Sequence, residues 1–139
     1  MIAVPIKRAL VLLCAPLLAL GVTACASTGS ISFKGEQGAV AQVVSNLKSE
    51  ATADEAKQIC ANLLSSPLTT RLNAARGGCT QAVKSQLLEV DNPELTVESV
   101  ALHGATATAT VKSVHSGKSK LGTLSLVKEG KKWKISGLG

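Results

Sequence analysis

Four thiols, two imidazoles and a cluster of ammonium groups are the parts of this 139-residue chain able to do chemistry. The cysteines are Cys14, Cys25, Cys60 and Cys79, and their settings differ. Cys25 closes the run "LGVTAC", in which Val22, Thr23 and Ala24 are narrow enough for a processing enzyme to grip an extended backbone and reach a nucleophilic thiol. Cys60 and Cys79 have no histidine near them, so they lack the four ligands zinc wants, and no metal site is expected. His103 and His115 both lie far along the chain. His115 with Lys120 is the nearest approach to an acid–base pair, since a hairpin would set them opposite each other near a rim, whereas His103 falls in a turn. A general base also needs a positioned partner and a pocket, and both imidazoles read as solvated loop residues. Serine and threonine are plentiful without the histidine and aspartate order of a hydrolase. Gly77-Gly78 reads as a helix stop rather than a phosphate loop. No catalytic residue and no cofactor is assigned, and the chain is not expected to be an enzyme.

Lys7 and Arg8 precede the apolar stretch Ala9 to Val22, which is too short for a permanent span needing about 20 residues. With Pro16 and Gly21 inside it, the stretch reads as a signal peptide. Val22-Thr23-Ala24-Cys25 resembles the lipobox of bacterial lipoproteins, position by position. The resemblance implies that the Cys25 thiol receives a diacylglyceryl group and that the chain is cut just before it; in that family the new N-terminus is often acylated as well. Residues 1–24 are then the leader, within which Cys14 is discarded, and residues 25–35 are a lipidated cysteine and a flexible Ser/Gly-rich tether. Two or three acyl chains, each buried CH₂ contributing about 0.8 kcal/mol, hold a small domain on a bilayer lastingly.

Residues 36–139 have room for one core, and 45% apolar content with 17% charged residues describes a folding chain rather than a disordered one. The formal charge of +6 falls to +4 once Lys7 and Arg8 are set aside. With two arginines left, one Trp, one Phe and no Tyr, nucleic acid is set aside as a partner.

Val40, Val43, Val44 and Leu47 recur at helical spacing and predict a first helix over 39–47. Thr52 and Glu55 form a capping-box pattern before a second helix that buries Ala56, Ile59, Cys60, Leu63 and Leu64. Ser66 as cap and Pro67 in the first turn open a third, carrying Leu68, Leu72 and Ala75 inward until Gly77-Gly78 stops it. A fourth, from Thr80, buries Val83, Leu87 and Val90 and ends at Asn92-Pro93. In an exported domain Cys60 and Cys79 are expected to be oxidised to a disulfide, closing a loop of about 20 residues for about 3 kcal/mol.

Beyond Pro93 strict alternation predicts four strands. Two-residue turns at His103-Gly104, Gly117-Lys118 and Glu129-Gly130 set Val100 opposite Ala107, Val111 opposite Leu124, and Leu126 opposite Trp133. One face then gathers Val100, Leu102, Ala105, Ala107, Ala109, Val111, Leu124, Leu126, Trp133 and Ile135. The other is mostly Ser, Thr and Lys, with Val97, Leu121 and Val127 left over on it, while Glu98 shares the apolar parity near a strand end. The expected class is α+β: N-terminal helices on one face of a curved four-stranded antiparallel meander.

This order, ending in "VKEGKKWKISGL", resembles the nuclear-transport-factor-like (cystatin-like cone) superfamily, and with its lipobox leader it looks similar to small exported lipoproteins of actinobacteria. Enzymes of that superfamily use Asp, Tyr or His inside the cone, a set missing from the middle of this inward face. The expectation is a membrane-anchored extracytoplasmic lipoprotein, a non-catalytic binding or scaffolding module of the cell envelope. The alternative is a small hydrolase or isomerase with a cone pocket near His115. Ala105, Ala107 and Ala109 would either leave room for a ligand or let a helix pack tightly, and tight packing is the expectation. Lys128, Lys131, Lys132 and Lys134 form a basic hairpin that could meet an envelope protein, anionic head groups or wall polymer, or could only protect a terminal edge strand from pairing.

Overall fold

The structure, a computed structural model, describes residues 32–88 and 94–138. The leader, Cys14, Cys25, most of the tether, Val90 and the Asn92-Pro93 stop lie outside the described residues. Helix α1 (Gly35–Thr52) is longer than its apolar stripe, which buries Val40, Val43 and Val44 and half-buries Leu47. Phe33, just ahead of it, also packs on the core. The expected capping box does not form. Thr52 belongs to the last turn of α1, where its hydroxyl donates to Lys48 O at 2.8 Å, and Glu55 precedes α2 (Ala56–Gln58) without a side-chain cap bond.

Helix α2 widens into a π-helical turn, Ile59–Leu63, closed by Leu64 N donating to Ile59 O at 3.2 Å. The wider turn buries Ile59, Cys60 and Leu63 together before Leu64 becomes extended. Helix α3 (Ser66–Asn73) is capped by Ser65, not Ser66: the buried Ser65 hydroxyl accepts from Leu68 N at 3.4 Å. Its stripe half-buries Leu68 and Leu72, whereas Ala75 is exposed. Helix α4 runs Gly78–Leu88, starting two residues before the expected position. Gly77 has φ +86°, and a Cβ there would meet the Gln81 side chain at 2.8 Å, so the turn into α4 requires glycine. Asn73 Oδ1 accepts from Cys79 N at 3.0 Å. The disulfide joins Cys60 and Cys79 with Cα atoms 6.2 Å apart, tying the π-helical turn to α4.

Strands β1 (Glu94–His103), β2 (Thr106–His115), β3 (Lys118–Glu129) and β4 (Lys132–Leu138) form one antiparallel sheet in the order β1-β2-β3-β4. The meander with helices on one face is the α+β architecture expected, yet each hairpin is offset. The turns are Gly104-Ala105, Ser116-Gly117 and Gly130-Lys131, so Val100 pairs with Ala109, Ala109 with Leu124, and Leu126 with Ile135. Moving a two-residue turn by one position changes pairing by two, which preserves which side chains share a face. The cause lies in the turn backbone. Gly104 and Gly130 take positive φ at the first turn position, and Ser116 with Gly117 takes it at both, the demands of type II′ and I′ turns.

Two bulges bend the sheet. One falls between Val97 and Ser99 in β1, the other opposite the Ser125/Leu126 step. The first switches parity, so Leu95 and Val97 join the core while Glu98 is left exposed. Of the expected inward face, Leu102 is 37% exposed at the rim and Ala105 stands exposed in the turn; the remaining eight residues are buried. Ala107 and Ala109 are nearly inaccessible and share one core cluster with Val40, Val44 and Leu126, so the short side chains admit a close helix.

Candidate functional site

The β1–β2 and β3–β4 turns lie at one end of the sheet, joined by Lys128 N donating to Ala105 O at 2.7 Å. Hydrogen bonds from the helical segments converge there. Glu36, in the first turn of α1, accepts from Lys128 Nζ at 2.7 Å through Oε1 and from Trp133 Nε1 at 2.6 Å through Oε2. Lys128 Nζ also sits 5.8 Å from the centre of the Trp133 ring. These bonds, first from Lys128 and then from Trp133, hold the Glu36 carboxyl below its ordinary value of 4.5. Gln37 Nε2 donates to Val100 O at 2.9 Å on β1. Glu129, on β3, caps α3: its two carboxylate oxygens accept from Ser66 N at 2.8 Å and Ser66 Oγ at 3.0 Å. Ser65 N donates to Ile135 O at 2.8 Å, and a Leu64–Ile135 bridge covers part of the β4 edge.

The basic hairpin therefore divides. Lys128 is committed to Glu36, and Lys134 Nζ donates to Asn62 O. Lys131 and Lys132 are exposed in and beside the turn, with no carboxylate partner among the described residues. Lys34, just before α1, is exposed and likewise unpaired among them. Glu36 and Trp133 were not legible as partners: they are 97 positions apart, and no local pattern links a helix-opening glutamate to a strand indole.

The histidines are at opposite ends. His103 is exposed beside the β1–β2 turn, where its carbonyl accepts from Thr106 Oγ1 at 3.0 Å. His115 is exposed beside the β2–β3 turn and pairs with Lys118 rather than Lys120; Lys120 stands opposite Ser113. Two depressions on the described surface are open. One is lined by Ser45, Lys48, Ser49, Thr52 and Ala53, and the other lies between the Asp54–Gln58 segment and Thr80 with Lys84; neither includes a histidine. Among the described residues no group of three or more His, Cys, Asp or Glu is placed to hold a metal ion. No helix among them is long and apolar enough to cross a membrane.

No protein-family model matches the chain, and no curated protein does. Among solved structures the chain is similar to the de novo designed NTF2-fold protein NT-9, at 15% identity and a TM-score of 0.49, over 76% of this chain and 87% of that one. It is also similar to a substituted form of Rd1NTF2_05, at 14% identity and a TM-score of 0.42, over 71% of this chain and 90% of the other.

Proposed function

We propose that the chain is an extracytoplasmic lipoprotein, cleaved before Cys25, acylated on its thiol, and held on a cell membrane, where residues 36–139 serve as a non-catalytic binding or scaffolding module of the envelope. The observation that carries this reading is the leader itself: a charged start, a short apolar run and Val22-Thr23-Ala24-Cys25, followed within ten residues by the first helix. Two further observations support it. A Cys60–Cys79 disulfide suits an oxidising compartment. The buried inward face and exposed histidines suit a domain that works through its surface.

The test is Cys25→Ser in the native host. The parent chain is expected in the membrane fraction, released by detergent and not by salt, while the variant remains unacylated and is no longer held by a lipid. Equal processing and equal retention of the two would sink the reading.

A further inference from the structure

The contacts of Glu36 and Gln37 fix where the anchor enters the folded domain, and that position selects one face for the membrane. Glu36 is bonded to Lys128 and Trp133 beside the β3–β4 turn, and Gln37 to Val100 near the β1–β2 turn. Phe33 already packs on the core, so the slack between Cys25 and the domain is residues 26–32. Even fully extended, eight Cα steps reach at most about 28 Å. The ten residues of β2, nine rises of about 3.3 Å, span about 30 Å, so the β2–β3 tip lies at the limit of what a fully stretched tether reaches while the root end lies well within it.

The end nearest the root carries an uncompensated positive charge. Lys34, Lys131 and Lys132 are exposed there without a carboxylate in ion-pair contact among the described residues; of the carboxylates at that end, the exposed Glu36 is paired with Lys128, and Glu129, opposite Lys132 on the neighbouring strand, is bonded to Ser66, which leaves lysines in excess. Leu102, 37% exposed, adds apolar surface at the same rim. The opposite tip also has lysines, Lys112, Lys118 and Lys120, but Glu94 and Glu98 stand exposed on the neighbouring strand.

We propose that the β1–β2 and β3–β4 turns, with Lys34, Lys131 and Lys132, rest on anionic phospholipid head groups of the membrane bearing the anchor, so that the domain stands upright and presents the β2–β3 tip outward. The proposal rests on acylation at Cys25 and adds an orientation to it. Ammonium groups near an anionic leaflet are attracted over about one Debye length, so the contact weakens with salt while the acyl anchor does not.

The test uses the full, membrane-extracted chain reconstituted in vesicles of phosphatidylcholine alone or with phosphatidylglycerol, and reads lysine acetylation by peptide mass spectrometry. On anionic vesicles Lys34, Lys131 and Lys132 are expected to be protected about fivefold relative to Lys118 and Lys120, with the difference absent on neutral vesicles and erased by high salt. Lys131→Glu with Lys132→Glu, both on the exposed turn, is expected to remove the protection of Lys34. Equal labelling at both ends, or protection of Lys118 and Lys120 instead, would overturn the orientation. Protection of the same lysines by soluble polyphosphate but not by the anionic vesicles would assign the patch to a polymer and overturn the lipid claim. Flotation with neutral vesicles reads the anchor alone, so failure of the anchor and failure of the orientation are told apart.

Discussion

The two ends of the meander are built differently. At the β1–β2/β3–β4 end, side chains separated by 63 to 97 positions meet: Glu36 with Trp133 and Lys128, Gln37 with Val100, and Glu129 with Ser66. At the β2–β3 end, His115, Lys118 and Lys120 are exposed, and Leu121 is 64% exposed. The long-range side-chain bonds among the described residues gather at the first end and concentrate cooperativity there. The other end rests on backbone ladders, its I′ turn, a Ser113 Oγ bond to Lys120 O at 3.3 Å and the half-buried Leu95 and Val97.

That contrast orders the expected effects. Trp133 is 5% exposed and shared between the core and Glu36. Trp133→Ala should cost about 3–5 kcal/mol in chemical denaturation and shift the unfolding midpoint accordingly; a loss below about 1 kcal/mol would break the claim that this end holds the fold. Next comes the disulfide. Replacing Cys60 and Cys79 together by Ser should cost about 3 kcal/mol, and reductant should destabilise the parent chain by the same amount while leaving the double variant unmoved.

Glu36→Gln sharpens the comparison through pH. Because bonding to Lys128 and Trp133 lowers the Glu36 pKa, its stabilisation is complete above pH 4.5 and is lost as pH falls through the lowered value. The parent should therefore be the more stable protein at neutral pH, with the two midpoints converging in acid. Glu50 works in the opposite sense. Burial, then the Glu55 charge, raises its pKa, and its Oε2 is buried without a partner among the described residues, so Glu50→Gln should raise the midpoint at pH 7 and lose that advantage near pH 4. The smallest effect belongs to the far end: Leu121→Ser should change stability by no more than about 0.5 kcal/mol.

Strand faces were legible because alternation has period two, and an error of two in pairing leaves every face intact. Turn positions were less legible. Each turn contains one glycine, and the choice between placing it first or second depends on φ at both positions, which sequence alone leaves open. The bulge beside Glu98 explains why Val97 seemed misplaced: strict alternation carried the parity past an inserted residue. In the helical half, periodicity found the apolar stripes, and the expectation of export led to the Cys60–Cys79 pair. It misplaced the caps, because Thr52 and Ser66 have suitable side chains but α1 continues through Thr52 and Ser65 already serves α3. In the basic hairpin the four lysines were visible as a group. Their division into bonded and exposed pairs was not, since it depends on Glu36 and Asn62 reaching them from far along the chain.

The account stands on acylation of Cys25, and the most direct measurement is the intact mass of the protein extracted from membranes with detergent. The predicted species begins at Cys25, is heavier by a diacylglyceryl group with or without one further acyl chain, and is lighter by two hydrogens for the Cys60–Cys79 bond. A mature chain of unmodified mass, or one beginning at another residue, would contradict it.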